Sequence, residues 1–212
     1  DTYDLQGRFG LELDETKKLT LGLQDYRDKQ DTDYTKDPSN RREAVAVKGL
    51  SLDDQPSTHN RAANLNYTEK DFFGQGLNVE SYWRKSDALF FPDISRGRAG
   101  VSATDSQTTV YGLRTAIDTP LPAIGSGSGN LVWGADYSHE FARQRGDQYA
   151  VNGLNYRKTG TTYELGPDLE TTTRALFAQV AWDVSDWTFR GGVRREWVQS
   201  KVDDSIAYGE IV

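Results

Sequence analysis

The feature that most constrains this chain is a period of two. In NLVWGADYSHEF (130–141), Leu131, Trp133, Ala135, Tyr137 and Phe141 share one parity. Asp136, Ser138 and Glu140 share the other. Successive side chains of a β-strand point to opposite sides, so this stretch reads as a strand with one apolar face and one charged face. The same alternation recurs along the chain. It places Tyr3, Leu5, Phe9 and Leu11 against Asp4, Gln6, Arg8 and Glu12, and Leu19, Leu21 and Leu23 against Thr20, Gln24 and Tyr26. It continues through Ala63, Leu65 and Tyr67, through Leu77, Val79 and Trp83, and through Tyr111, Leu113 and Ile117. Leu176, Ala178, Val180 and Trp182, then Trp187, Phe189, Val193 and Trp197, complete the set. Arg195 breaks the last apolar parity and is placed to snorkel.

The connections between these segments alternate in length. DETK (14–17), DFFGQG, TPLPAIGSGSGN and VSD read as turns or tight links. The stretches of roughly 29–60, 87–106 and 144–170 read as long polar loops. The pattern predicts about eight strands of ~10 residues, with short turns at one end and long loops at the other. No segment shows a sustained helical period. The expected fold is therefore all-β, an antiparallel up-and-down transmembrane β-barrel segment, with lipid against the apolar parity and a watery lumen against the polar one. The rival architecture is a soluble antiparallel sandwich or a lipocalin-like barrel, with the apolar faces turned inward.

Composition agrees with a two-faced chain. The hydrophobic fraction is 36% and the mean hydropathy −0.72, low for a chain that buries a thick core. No apolar run reaches the roughly 18 residues of a helical span, which leaves a β-barrel open. Net charge is −7, a poor starting point for nucleic-acid binding. The absence of Cys excludes disulfides and thiolate metal sites. The chain also lacks Met and any leader-like segment at its start, and it reads as a mature or excised piece.

Several segments carry a family resemblance. ALFAQVAWDVSDWTFRGGVRREW (175–197), LNYTEKDFFGQGLNVESYWR (65–84), LFFPDISRG (89–97), TTVYGLRTAIDTPL (108–121), LVWGADYSHE (131–140) and the closing KVDDSIAYGE (201–210) resemble, in order, the mid-barrel of TonB-dependent siderophore receptors. Within that family they look most like the ferric aerobactin branch, whose ligands are citrate-hydroxamate siderophores. The resemblance implies a Gram-negative outer-membrane location and a 22-stranded parent barrel. It also implies coupling to TonB through a plug domain that these residues do not include. Residues 1–212 are then expected to be a partial barrel domain. Iron would arrive only as a siderophore chelate, with no resident cofactor or metal. The partners expected are the ferric siderophore, outer-membrane lipid and TonB, with no nucleic acid. A receptor for another nutrient such as cobalamin, or a small barrel with an adhesion role, are the alternatives.

Enzymatic chemistry finds no support in the residues. GxSxG, HExxH and P-loop motifs do not occur. Of the two histidines, His59 falls in a loop and His139 shares the apolar parity of Tyr137 and Phe141. A carboxylate-bearing chelate asks for guanidinium forks, with aromatics to cover its apolar spacers. On that basis Tyr82, Arg84, Phe91, Arg96, Arg98 and Arg143 are the candidate ligand-binding residues. The rival role for lumenal arginines is pairing with neighbouring carboxylates, such as Arg84 with Glu80 or Arg194 with Glu196.

Overall fold

The computed structural model describes residues 1–94 and 100–202. Arg96, Arg98 and most of KVDDSIAYGE lie outside the described residues. The strands are β1 (Thr2–Glu12), β2 (Lys17–Lys29), β3 (Tyr34–Lys36), β4 (Ala44–Ala46), β5 (Ser51–Leu52) and β6 (Ser57–Phe72). They continue with β7 (Gln75–Phe90), β8 (Val101–Ile124), β9 (Gly127–Asn152), β10 (Asn155–Glu164), β11 (Leu169–Val184) and β12 (Trp187–Val202). The eight long strands β1, β2, β6, β7, β8, β9, β11 and β12 pair in that order as one antiparallel meander. All-β architecture and the strand-by-strand alternation read from the sequence are both present.

Register shows why the alternation matters. One row runs Leu11, Leu19, Tyr67, Val79, Thr115, Ala135, Leu176, Arg195 across all eight strands. Partners in an antiparallel ladder share a face. Every apolar parity named above therefore lands on the same side, which we call the outward face. The next positions carry the polar set to the other side, the inward face. A one-residue slip at any strand would reverse its faces, so the register is fixed by the pattern itself.

Among the described residues the outward face is left uncovered. Phe9 is 62% exposed, Trp187 71% and Val193 76%. Among the described residues no large side chain is fully buried. A sandwich would cover this face with a second sheet, and none does so among the described residues. Arg195 sits over Trp197, with its guanidinium carbon 5.0 Å from the ring centroid, so its charge rests on an aromatic within the apolar band.

Short connections lie at one end. Asp14 organises the β1–β2 turn by accepting the Thr16 N–H, the Thr16 hydroxyl and the Lys17 N–H, each at 2.8 Å. Those bonds, the Thr16 N–H foremost, hold the Asp14 carboxyl well below the usual carboxylate range. Between β6 and β7, Phe73 (φ 53°) and Gly74 (φ 80°) both take positive φ, the geometry of a two-residue turn matched to strand twist.

The long connections are more ordered than the sequence suggests. Residues 144–170, expected to be a loop, contain the top of β9 and all of β10. The 29–60 stretch contains the β3–β4 hairpin and β5, which pairs parallel with β10. TPLPAIGSGSGN is largely strand, because β8 runs on to Ile124 and β9 begins at Gly127. At this end Leu50, Leu52, Phe91, Ala103, Tyr149 and Tyr156 form a small core, with Val47, Leu89 and Val101 against it. Asp53 reinforces it by accepting from Arg157 Nη1 and from the Lys158 N–H, both at 2.8 Å. Burial works against the Lys158 ammonium, but its bonds to Asp147 (2.6 Å) and Asp54 (2.9 Å) outweigh this and raise its pKa.

Candidate functional site

The inward face holds a concavity of about 650 Å³ between β2, β6, β7 and β8. Gln24, Asn60, Asn64, Glu80, Tyr82, Arg84, Ser86 and Thr108 contribute to its lining. These residues reach the same hollow because they occupy inward positions on adjacent strands. Register places Asn64, Tyr82 and Gly112 in one row, and Gln24, Ala62, Arg84 and Val110 in the next.

Tyr82 is seated by a missing side chain. A Cβ on Gly112 would come 2.5 Å from the Tyr82 ring and hydroxyl, and equally close to the Tyr137 carbonyl oxygen. Only glycine lets the ring lie against β8 here. The Arg84 guanidinium carbon lies 5.2 Å from the Tyr82 ring centroid, a cation–π distance. No carboxylate lies within ion-pair distance of Arg84 among the described residues, so the expected rival pairing with Glu80 is not formed. An exposed planar cation braced by an aromatic is suited to accept a ligand carboxylate through two parallel N–H bonds.

A second inward cluster lies on β8, β9 and β12. Asp136 accepts from Arg114 Nε at 3.2 Å and from Arg194 Nη1 at 2.5 Å, and Arg194 Nε donates to Glu196 at 2.6 Å. The Arg194–Glu196 pairing considered from the sequence is therefore present. Phe177 packs over Gly134 beneath the Arg194 guanidinium. These arginines are already committed to protein carboxylates, which sets them apart from Arg84.

The four sequence candidates among the described residues do not converge, and Arg96 and Arg98 lie outside them. Tyr82 and Arg84 share the concavity. Phe91 is buried instead, 5.3 Å from Tyr149 and 6.2 Å from Tyr156 by ring centroid, because the folded connections need an apolar plug there. Arg143 lies within β9 rather than in a loop, on the outward face, and gives Nε and Nη2 to Gln107 at 3.0 and 2.6 Å. Its parity with Phe141 makes a contact with the concavity geometrically unavailable. His139 is likewise outward, 5.1 Å from Tyr111 by ring centroid and bonded to Thr172 at 3.0 Å. Gly112, Asn60 and Asn64 escaped the sequence reading. The signal that reveals Gly112 is a glycine facing an aromatic across a ladder, which needs the register to be known. Among the described residues no group of three or more His, Asp or Glu side chains is arranged to hold a metal ion.

Comparison with known proteins gives a consistent picture. Residues 2–209 match the family described as "TonB dependent receptor-like, beta-barrel". The ferric aerobactin receptor of Klebsiella pneumoniae is 28% identical over 228 residues, which covers 99% of this chain and 30% of the receptor. The rhizobactin receptor of Rhizobium meliloti (strain 1021) is 29% identical over 234 residues, covering 100% and 30% respectively. The chain thus spans about 30% of the length of these relatives. In fold it is similar to the unliganded ferric citrate transporter FecA, with a TM-score of 0.69 at 16% identity over 93% of this chain and 29% of that one. It is also similar to the structure of the FpvAI–pyocin S2 complex, with a TM-score of 0.57 at 13% identity over 95% of this chain and 31% of that one.

Proposed function

This chain belongs to the TonB-dependent receptor-like β-barrel family, and from that premise we propose that it forms the ligand-recognising arc of an outer-membrane receptor for a ferric siderophore. The siderophore is of the citrate-hydroxamate class. The observation that carries the reading is Arg84, a guanidinium with no carboxylate in ion-pair distance among the described residues, in a hollow lined largely by amide and hydroxyl side chains. Citrate carboxylates supply the missing anion, and Tyr82 offers a ring and a hydroxyl beside it. The likeness to receptors named for ferric aerobactin and rhizobactin supports a ferric siderophore as the ligand. Iron enters as cargo inside its chelate and meets no protein ligand. The outward face lies in the outer-membrane lipid, and TonB supplies the energy for transport through other parts of the receptor.

Arg96 and Arg98 fall between β7 and β8 in the sequence, outside the described residues. By the chemistry of their side chains we assign them the role of a second guanidinium contact to a chelate carboxylate. Binding of ferric aerobactin, followed by quenching of intrinsic tryptophan emission, tests the site. Arg84→Ala and Tyr82→Ala are expected to weaken binding by about 10- to 100-fold, the range of a charge-assisted hydrogen bond and its aromatic brace. Unchanged affinity in both variants would overturn the assignment.

A further inference from the structure

Two glycines on one inward row decide where the hollow opens. The row runs Gly22, Asn64, Tyr82, Gly112 across β2, β6, β7 and β8. Asn64 and Tyr82 face each other directly, and side chains so placed ordinarily fill the roughly 5 Å between their Cβ atoms. These two lean apart instead. Tyr82 lies over Gly112. Asn64 turns the other way, over Gly22, where a Cβ would overlap its Oδ1 and come within 3.2 Å of its Cγ. In the next row Arg84 faces Ala62, which offers only a methyl group. Glycine at two positions and alanine at a third thus leave a cleft between Asn64 and Tyr82. A second concavity of about 440 Å³ continues past the cleft over Gly22 and shares Gln24, Ala62 and Asn64 with the first.

Asn64 also differs from its neighbours in bonding. Other inward asparagines of the wall are engaged: Asn66 donates to Asn78 at 3.2 Å, Asn60 accepts from Ser86 at 2.7 Å and Asn130 donates to Asp118 at 3.0 Å. The partly buried Asn64 carboxamide makes no hydrogen bond among the described residues. The cleft therefore has a carboxamide with a free donor and acceptor on one side and an aromatic ring on the other, with the Arg84 guanidinium one row above. Those borders suit a neutral, planar amide, whose carbonyl accepts from Asn64 Nδ2 or whose N–H donates to Oδ1, and whose flanking carbons meet the Tyr82 ring. A carboxylate fits this place less well, because it brings no donor for Oδ1 and is drawn to Arg84.

We propose that Asn64 recognises a neutral amide of the ferric chelate, seated beside the carboxylate that Arg84 holds. This rests on the chelate reading of the hollow and narrows it. The ligand carries an amide close to a carboxylate, as citrate does once amide bonds join it to hydroxamate arms, and as free citrate does not. Asn64 is then the residue that tells the two kinds of iron complex apart, whereas Arg84 serves both. Gly22 acts through Asn64, by giving its carboxamide a seat clear of the cleft.

The test titrates the full chain in maltoside micelles with two ferric chelates, each read by quenching of tryptophan emission. Ferric aerobactin has amide bonds next to its citrate carboxylate, and ferric citrate has carboxylates and no amide. The unaltered chain is expected to bind ferric aerobactin more tightly. Asn64→Leu keeps the size of the side chain and removes its hydrogen bonding. It is expected to weaken ferric aerobactin roughly tenfold and to leave ferric citrate within about twofold. Gly22→Ala pushes the carboxamide off its seat into the cleft and is expected to show the same split with Asn64 itself unaltered. Arg84→Gln is expected to weaken both chelates. Equal losses for the two chelates in Asn64→Leu, or no loss for either, overturn the amide assignment. An Arg84→Gln chain that binds both chelates as tightly as the unaltered chain overturns the chelate reading beneath it, so the two failures are told apart.

Discussion

Phe91→Ala separates a loop core from a ligand site. The ring is 8% exposed and lies against Tyr149 and Tyr156. Truncating a buried Phe in a deep core costs about 3–5 kcal/mol. This core is one layer thick and free to collapse, so we take ~2–3 kcal/mol. The loss is local, because β5 is able to leave β10 without disturbing the meander. At about 1.4 kcal/mol per factor of ten, the open population rises roughly 30- to 150-fold. Hydrogen exchange reads this directly. The Ser51 amide donates to Leu154 at 2.9 Å and the Asp53 amide to Tyr156 at 3.2 Å, and both close only when β5 is docked. Those two amides are expected to exchange faster by that factor, while the β6–β7 ladder keeps its protection. Unchanged exchange at Ser51 and Asp53 would refute the role given to Phe91. Equal acceleration across the sheet would refute its independence from the barrel.

Gly112→Val is expected to unseat Tyr82 and to destabilise by about 1–3 kcal/mol, seen as a lower urea midpoint in micelles, whereas Gly191→Val, with open space at its Cβ, is expected to leave the midpoint unchanged. Asp136→Ala strands Arg114 and leaves Arg194 only Glu196, and at their partial exposure the expected cost is about 1–2 kcal/mol in the same assay; a neutral result would show the cluster to be solvated. Asp14 has a depressed pKa, so its stabilising effect is complete above its unfolded value of about 3.9 and fades as pH falls below that toward the folded pKa. The penalty of Asp14→Asn is accordingly expected to be flat above about pH 5 and to shrink toward pH 2, and a penalty constant across that range would contradict the turn's hydrogen bonding.

The membrane-level half of the fold was legible from parity alone. Leu131 to Phe141 announce their strand because lipid and water ask for different side chains on its two faces. The rest was hidden for the same reason in reverse. Above Phe141 β9 leaves the apolar band for the folded connections, so Arg143, Arg145 and Tyr149 show no alternation, yet the ladder continues to Asn152. Strand length beyond the band leaves no period-2 trace. Parity did contain the facing of Arg143, two residues from Phe141, and the expectation of a loop concealed it. Tyr82 and Arg84 were legible as inward residues of one strand. The burial of Phe91 was not, because its partners arrive from β9 and β10, more than fifty residues away. The seat at Gly112 needs cross-strand register, which a single sequence does not state.

The docking of β5 on β10 has a consequence for the order of assembly. Asp53 and Arg157 are 104 residues apart in sequence. The long ladders join strands nearer along the chain, the widest gap being residues 30–56 between β2 and β6, so their closures are shorter and faster. The β5–β10 contact is different. Its two sides meet only after β6, β7, β8 and β9 have zipped in turn and brought the ends of a hundred-residue excursion together. It therefore follows those ladders, and it forms only when the intervening register is correct. A strand slipped by two residues would displace Tyr156 from Leu52 by almost 7 Å. The small core at the loop end thus acts as a proofreading step on the meander, closing over a barrel wall only when that wall has been built in register.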